Sequence, residues 1–229
     1  MPAYTSDEEL FNILKTELFT AVVGDVLDKL GYIHQFLPFG ICPLRDDMVL
    51  AGRAMPVLEA DIFDDRTEAP GPLSGKPFGL MLEALDCLKP GDIYVATGAS
   101  LRYALFGELM ATRAQVLKAN GALLDGYIRD TRGIMGLDFP TFGRGKYSQD
   151  QGPRGKVIDY NVTVEIEGIR IEPDALIFGD MEGVLIIPKE IEEEAIRLSL
   201  EKVRMESKVE EAIKGGMSTV EAYATFGVM

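Results

Sequence analysis

The chain has 229 residues, enough for one substantial core, and its 47% hydrophobic and 26% charged content excludes disorder over most of its length. Lys+Arg number 23 against 37 Asp+Glu, a formal net charge of −14, which argues against a general binder of nucleic acid or anionic membrane. An anionic substrate on such a protein needs a local cationic pocket or a bound metal.

The chain opens with a helix: Ser6 and Glu9 fit a capping box, and Leu10, Leu14 and Leu18 recur at helical spacing. A second helix is expected from Thr20 as N-cap, carrying Val23, Val26, Leu27 and Leu30, with Gly31 as its stop. A loop with Pro38, Gly40 and Pro43 leads to a strand at Val49–Leu58, and the Pro- and Gly-rich stretch Asp64–Pro77 reads as a surface loop. From Leu80 the expected order is helix to Leu88, turn at Pro90-Gly91, strand Asp92–Thr97, loop, helix, stop at Asn120-Gly121 and strand Ala122–Ile128. Residues 143–156 read as a loop rich in Gly, Lys, Arg and Gln. Val162, Val164 and Ile166 alternate with polar residues before Gly168, and Ala175–Phe178 and Val184–Ile187 flank Gly179-Asp180; both stretches read as hairpins. Pro188 introduces a charged helix to about Lys214, with Ile191, Ala195, Leu198, Met205, Val209 and Ala212 as its apolar stripe. Gly215-Gly216 ends it, and Ser218–Phe226 reads as a last short helix. The whole, 1–229, reads as one α/β domain with a C-terminal helical arm over about 189–229.

Cys42 and Cys87 show no CxxC spacing and are expected to be free, buried thiols of a reducing compartment. No stretch reaches the roughly 18 apolar residues that span a bilayer, and the first residues lack a basic segment followed by an apolar one, so a cytoplasmic protein is expected. His34 is the only histidine, which excludes HExxH and three-histidine zinc sites. With Tyr32 and Phe36 beside it, its expected role is packing.

The stretch with chemical content runs from Gly98 to Asp130. A helix from Glu108 to Ala119 travels roughly 18 Å, and a strand from Ala122 to Ile128 returns roughly 20 Å. Glu108 and the pair Arg129-Asp130 should therefore meet at one end of the unit. The free amides of the helix start, at Leu109 and Met110, and the fork of Arg129 suit a carboxylate or an enolate oxygen. Asp130 and Glu108 suit a hard divalent cation that keeps several waters. A solvated surface could carry the same residues.

Ala104-Leu-Phe-Gly-Glu-Leu-Met-Ala-Thr112 and Gly121-Ala-Leu-Leu-Asp-Gly-Tyr-Ile-Arg-Asp130 resemble the 4-hydroxy-4-methyl-2-oxoglutarate aldolase family, which includes the RraA-like regulators of ribonuclease E. The shared pattern is an acidic residue, twenty residues, then Arg-Asp, here Glu108, Arg129 and Asp130. The likeness extends to Asp25, Pro90-Gly91-Asp92, Phe139-Pro140, Gly179-Asp180 and Gly183-Val184. It implies a swivelling β/β/α fold, a homotrimer or hexamer with sites between subunits, and a lyase that cleaves or decarboxylates 2-oxo acids through a metal-bound pyruvate enolate. By this resemblance Asp130 is the direct ligand of Mg²⁺ or another divalent cation such as Mn²⁺, and Glu108 holds a metal-bound water. Arg129 contacts the substrate's oxo or carboxylate oxygens, and Gly107, Leu109 and Met110 seat the pyruvyl carboxylate. Glu206 of a neighbouring subunit, with Glu201 as second choice, reaches the metal waters. The family's acidic residue three positions after the metal-binding aspartate is here Gly133, so a weaker metal site is expected. The alternative implied by the RraA-like branch is a non-enzymatic regulator that binds a ribonuclease or other protein. A methyltransferase reading lacks a Gly-rich cofactor loop.

Overall fold

The computed structural model describes residues 3–63 and 73–228, so most of the expected Asp64–Pro77 loop lies outside the described residues. Two short helices come first, α1 (Asp7–Thr16) and α2 (Thr20–Lys29). Ser6 caps α1 by accepting the Glu9 amide at 3.2 Å, but the Glu9 carboxylate turns to the Thr5 amide and hydroxyl, both at 2.7 Å, so only half of the expected box forms. Thr20 is not the cap of α2 but its first helical residue, after Phe19. Its amide and hydroxyl donate to the Asp180 carboxylate at 2.8 and 2.7 Å, so the cap arrives from a strand 160 residues away. At the other end the Gly31 and Tyr32 amides close back on the Asp28 and Leu27 carbonyls, the expected stop.

The middle of the chain supplies β1 (Cys42–Pro43), β2 (Leu50–Asp61), α3 (Met81–Asp86), β3 (Asp92–Thr97), β4 (Ala104–Phe106), α4 (Glu108–Val116), β5 (Gly121–Ile128), α5 (Thr131–Gly136), β6 (Thr141–Lys146) and β7 (Gly155–Tyr160). Then follow β8 (Val164–Ile166), β9 (Ile169–Ile171), β10 (Leu176–Asp180), β11 (Gly183–Ile187), α6 (Glu192–Lys214) and α7 (Thr219–Phe226). The strands order as β1-β6-β5-β3-β2-β10-β11, with β4 added to β5 and β7 to β2, and β8-β9 forms a separate hairpin. The pairs β2-β3, β3-β5, β4-β5 and β5-β6 are parallel. These strands read as continuous apolar runs because helices or the hairpin cover both of their faces. The result is a mixed α/β architecture, a nearly closed sheet with a C-terminal helical arm. Several elements differ from expectation. The stretch read as a loop after β3 holds β4, α5 follows Asp130 directly, and β6 and β7 reach into the supposed 143–156 loop. Helix α4 stops at Val116 rather than Ala119.

Three apolar clusters surround the sheet. One lies between the β2-β3-β5 face and α3, α4 and α5, around Tyr94, Phe106 and Phe139. A second lies under α1, α2 and α6, and the third, around Phe142, Ile93 and Val95, is closed by the β8-β9 hairpin. Cys42 and Cys87 are free, as expected, but exposed rather than buried, and His34 is likewise exposed rather than packed. The arm is anchored at its root. Arg53 of β2 pairs with Asp7 of α1 at 2.5 Å and with Glu192, which is 7% exposed and also accepts the Tyr4 hydroxyl at 2.6 Å. Arg53 thus joins both chain ends to the sheet.

Removing one partner of a shielded pair leaves the other charge uncompensated. Arg53→Ala is therefore expected to lose about 3 kcal/mol in urea denaturation, whereas Arg53→Met combined with Glu192→Met recovers most of that loss.

Candidate functional site

Strand β4 adds to β5 in parallel, and the Arg129 amide donates to the Phe106 carbonyl at 2.9 Å. That bond sets the end of β4, and so the start of α4, beside Arg129 and Asp130. Gly107 is the N-cap of α4 and, lacking a side chain, leaves the amides of Glu108, Leu109 and Met110 uncapped by it. It is also the point of closest approach: a Cβ there would sit 2.8 Å from Asp130 Oδ2 and 3.1 Å from Arg129 Cγ. Asp130 has φ 52° and ψ 32°, a left-handed conformation that breaks β5 and starts α5 at once. For a residue with a Cβ this costs on the order of 1 kcal/mol, strain of the kind that gathers at functional sites.

Two recesses meet at Asp130. An open cleft is lined by Glu108, Asp130, Thr131, Arg132 and Gly133. The other, about 600 Å³, carries Gly107, Leu109, Met110, Arg129 and Asp130 at one end and an apolar wall from α3 and α4 beyond. Six residues expected from the sequence, Gly107, Glu108, Leu109, Met110, Arg129 and Asp130, are thus gathered at one place. The Gly133 position has a geometric reading. A Cβ there would run into the Glu108 carboxyl, so the acidic group at this spot comes from α4 instead of α5.

Sequence reasoning missed the support behind Arg129. Arg129 Nη1 donates to the Asp150 carboxylate, while its Nε lies 3.4 Å from Asp130 Oδ2. Asp150 belongs to a turn pinned by backbone bonds from Arg154 and Gly155 to the Gln151 carbonyl at 2.7 and 3.0 Å. The Gln151 side chain, 5% exposed as a residue, donates to Glu59 Oε2 at 3.1 Å. Glu59 lies at a bulge between Leu58 and Glu59 in the β2-β7 pairing, is 1% exposed, and has no partner for Oε1 among the described residues. Burial first, and then the neighbouring Asp61 carboxylate, push its pKa up to about 8. A Glu buried without a cation would have been legible only as an acidic residue interrupting an apolar strand.

Glu206 lies elsewhere within the chain. It accepts from Lys202 at 3.3 Å, and Lys202 also donates to Asp25 of α2. Glu201 pairs with Arg197 at 2.8 Å on the same helix. Neither lines the two recesses, so a part for Glu206 in the site requires a second copy of the chain.

The sequence profile of the RraA-like family (Aldolase/RraA) matches residues 20–186. A protein of Halalkalibacterium halodurans named "Putative 4-hydroxy-4-methyl-2-oxoglutarate aldolase" is 34% identical over 145 residues, 62% of this chain and 68% of that one. Among solved structures, one from Pseudomonas syringae pv. tomato superposes with a TM-score of 0.81 at 24% identity, covering 99% of this chain and 96% of that one. Streptomyces coelicolor RraAS2, described as an unusual member of the RNase ES inhibitor RraA protein family, gives 0.74 at 20% identity, covering 90% and 98%. At those identities the two structures establish the fold.

Glu59 gives a pH dependence. Its folded pKa of about 8 lies above its ordinary 4.5, so the folded state holds the proton more tightly than the unfolded chain. The stability it contributes is complete below pH 4.5 and is lost as pH rises towards 8. Glu59→Gln removes that loss. The variant should melt about 5 °C or more above the wild type at pH 8.5 and lose most of this advantage by pH 5, read by thermal scans.

Proposed function

The chain belongs to the RraA-like family, and on that premise we propose that it is a divalent-metal-dependent lyase of 2-oxo acids. It would release pyruvate by retro-aldol cleavage of substrates like 4-hydroxy-4-methyl-2-oxoglutarate, by decarboxylation of oxaloacetate, or both. The observation that carries this reading is the meeting of the α4 amides, Arg129 and the Asp130 and Glu108 carboxylates around adjoining recesses.

The donor set fits Mg²⁺ or Mn²⁺. Asp130 would bind directly and Glu108 through water, and Mg²⁺ commonly takes one or two carboxylates and retains waters. Among the described residues no group of three or more His, Cys, Asp and Glu side chains gathers to hold a metal. The remaining positions would fall to water, substrate or Glu206 of a neighbouring copy. When bound, the cation would polarise the 2-oxo group.

The chain's own groups supply the rest. The Leu109 and Met110 amides donate to the substrate carboxylate at the positive end of α4. Breaking the C3–C4 bond leaves an electron pair that spreads onto the C2 oxygen. Arg129 donates to that oxygen and stabilises the charge where it develops. Asp150 fixes the guanidinium through Nη1 and leaves further N–H donors for substrate. Around a protein of net charge −14, the local cations Arg129 and Arg132 also draw the anion to this face.

The test is pyruvate release from oxaloacetate and from 4-hydroxy-4-methyl-2-oxoglutarate, with Mg²⁺ and after EDTA. Activity should vanish with EDTA. Arg129→Ala should lose about 10²- to 10³-fold in kcat. Asp130→Asn, whose side chain tolerates the left-handed backbone, should lose activity while melting within a few degrees of the wild type. Turnover that survives EDTA and Asp130→Asn overturns the assignment. No turnover of either substrate leaves standing a different 2-oxo acid or the protein-binding regulator, the kind of protein that RraAS2, of an RNase inhibitor family, is described as.

A further inference from the structure

The recess that holds Arg129 is far larger than a pyruvyl head requires. Its volume of about 600 Å³ lies in the range of sites for whole small molecules. Beyond Gly107 and Arg129 it runs between α3 and α4, walled by Phe78, Met81, Leu82, Leu85, Leu109 and Met110. Met81 and Leu85 are buried at the floor, while Leu82 and Leu109 stand 56% and 85% exposed at the two lips. The charged pair at the α3–α4 wall is Arg113 and Asp86, bonded to each other at 2.7 Å. Among the described residues Arg113 is the one cation lining this recess besides Arg129, and Asp86 holds it through Nε. A hydrocarbon group on the substrate would shed its hydration against the apolar wall, whereas a second carboxylate would have to pass that wall and share Arg113 with Asp86.

We infer that the preferred substrate of this site is a 2-oxo acid with a hydrocarbon or aromatic group beyond the pyruvyl unit, seated between α3 and α4, in place of a second carboxylate. The inference rests on the lyase reading and specifies its substrate class. The reaction is the retro-aldol of a 4-hydroxy-2-oxo acid with an apolar group at C4. The C3–C4 bond breaks, and its electron pair passes to the C3–C2–O unit as enolate. The C4 hydroxyl gives up its proton to water and becomes an aldehyde carbonyl, and water returns a proton to C3 to complete pyruvate. No oxidant or reductant is needed. Continuity decides for this occupant: the apolar walls begin at Leu109 and Met110, the residues whose amides face the head group.

The experiment compares 4-hydroxy-2-oxo-4-phenylbutanoate with 4-hydroxy-4-methyl-2-oxoglutarate and oxaloacetate in pyruvate release. Calorimetry of 3-phenylpyruvate against pyruvate in Mg²⁺ gives a readout independent of turnover. The phenyl substrate should exceed the dicarboxylate by at least about tenfold in kcat/KM, and phenylpyruvate should bind at least about tenfold tighter than pyruvate. Leu82→Arg adds a cation to the lip and should reverse the preference for the phenyl substrate over the dicarboxylate, and weaken the preference for phenylpyruvate. Turnover of the dicarboxylates with no gain from the phenyl group overturns this inference and leaves the lyase reading standing. Absence of turnover on all three substrates, with no binding of either probe, overturns both. Unchanged preferences in Leu82→Arg together with an altered mass by light scattering assign the groove to contact between copies, and also overturn the inference.

Discussion

The site depends on how closely two backbone segments approach at the end of β5. Phe106 and Arg129 share a hydrogen bond of 2.9 Å, and Gly107 and Asp130 then lie so near that a single methyl group at 107 would touch the Asp130 carboxylate and the Arg129 stem. That contact places the uncapped start of α4, one guanidinium and two carboxylates within one small region. It also explains why Asp130 accepts a left-handed backbone: the chain must leave β5 and enter α5 in one residue if the carboxylate is to remain beside Gly107. A similar economy of space governs the opposite side, where Gly133 yields its side-chain volume to Glu108.

Arg129 is held from behind by a chain of contacts that reaches deep into the fold. Asp150 grips the guanidinium, Gln151 turns inward, and Glu59 receives its amide in a pocket that burial keeps nearly dry. A carboxyl in such surroundings is held in its neutral form near pH 7 by burial and by the neighbouring Asp61 carboxylate, with no cation packed against it among the described residues. Asp61 on the same strand and the hydroxyls of Tyr94 and Tyr103 are its titratable neighbours, and the Tyr94 hydroxyl is also buried without a partner. Polar groups left unsatisfied in a core lower its stability, and their position behind a candidate site agrees with the tendency of function to tolerate such cost.

Charge is organised locally against a strongly negative whole. Arg53 joins α1, β2 and α6, Arg144 joins Asp125 of β5 to Glu167 of the β8-β9 turn, and Lys202 joins α2 to α6. Each of these cations spends its charge on structure. Arg129 differs because the carboxylate it faces lies on the rim of a cleft, where a substrate anion can share the guanidinium.

The sequence by itself determined the elements whose signals are local. The periodicity of α1 and of the arm, the stop at Gly31, β3, and the hairpin around Gly168 all follow from spacing and turn chemistry. The out-and-back arithmetic of a helix and a strand also sufficed to bring Glu108 to Arg129-Asp130, because both rises are fixed by backbone geometry. What only the tertiary structure decided are features made by partners distant in the chain. Strands β4, β6 and β7 are short or polar and exist because an edge pairs with them. Thr20 is not a cap because Asp180 comes to cap the helix instead, and Glu59 is neutral because the sheet buries it. Spacing along a chain encodes what neighbouring residues do to one another, whereas burial, pairing and desolvation belong to contacts that come into being only when remote segments pack.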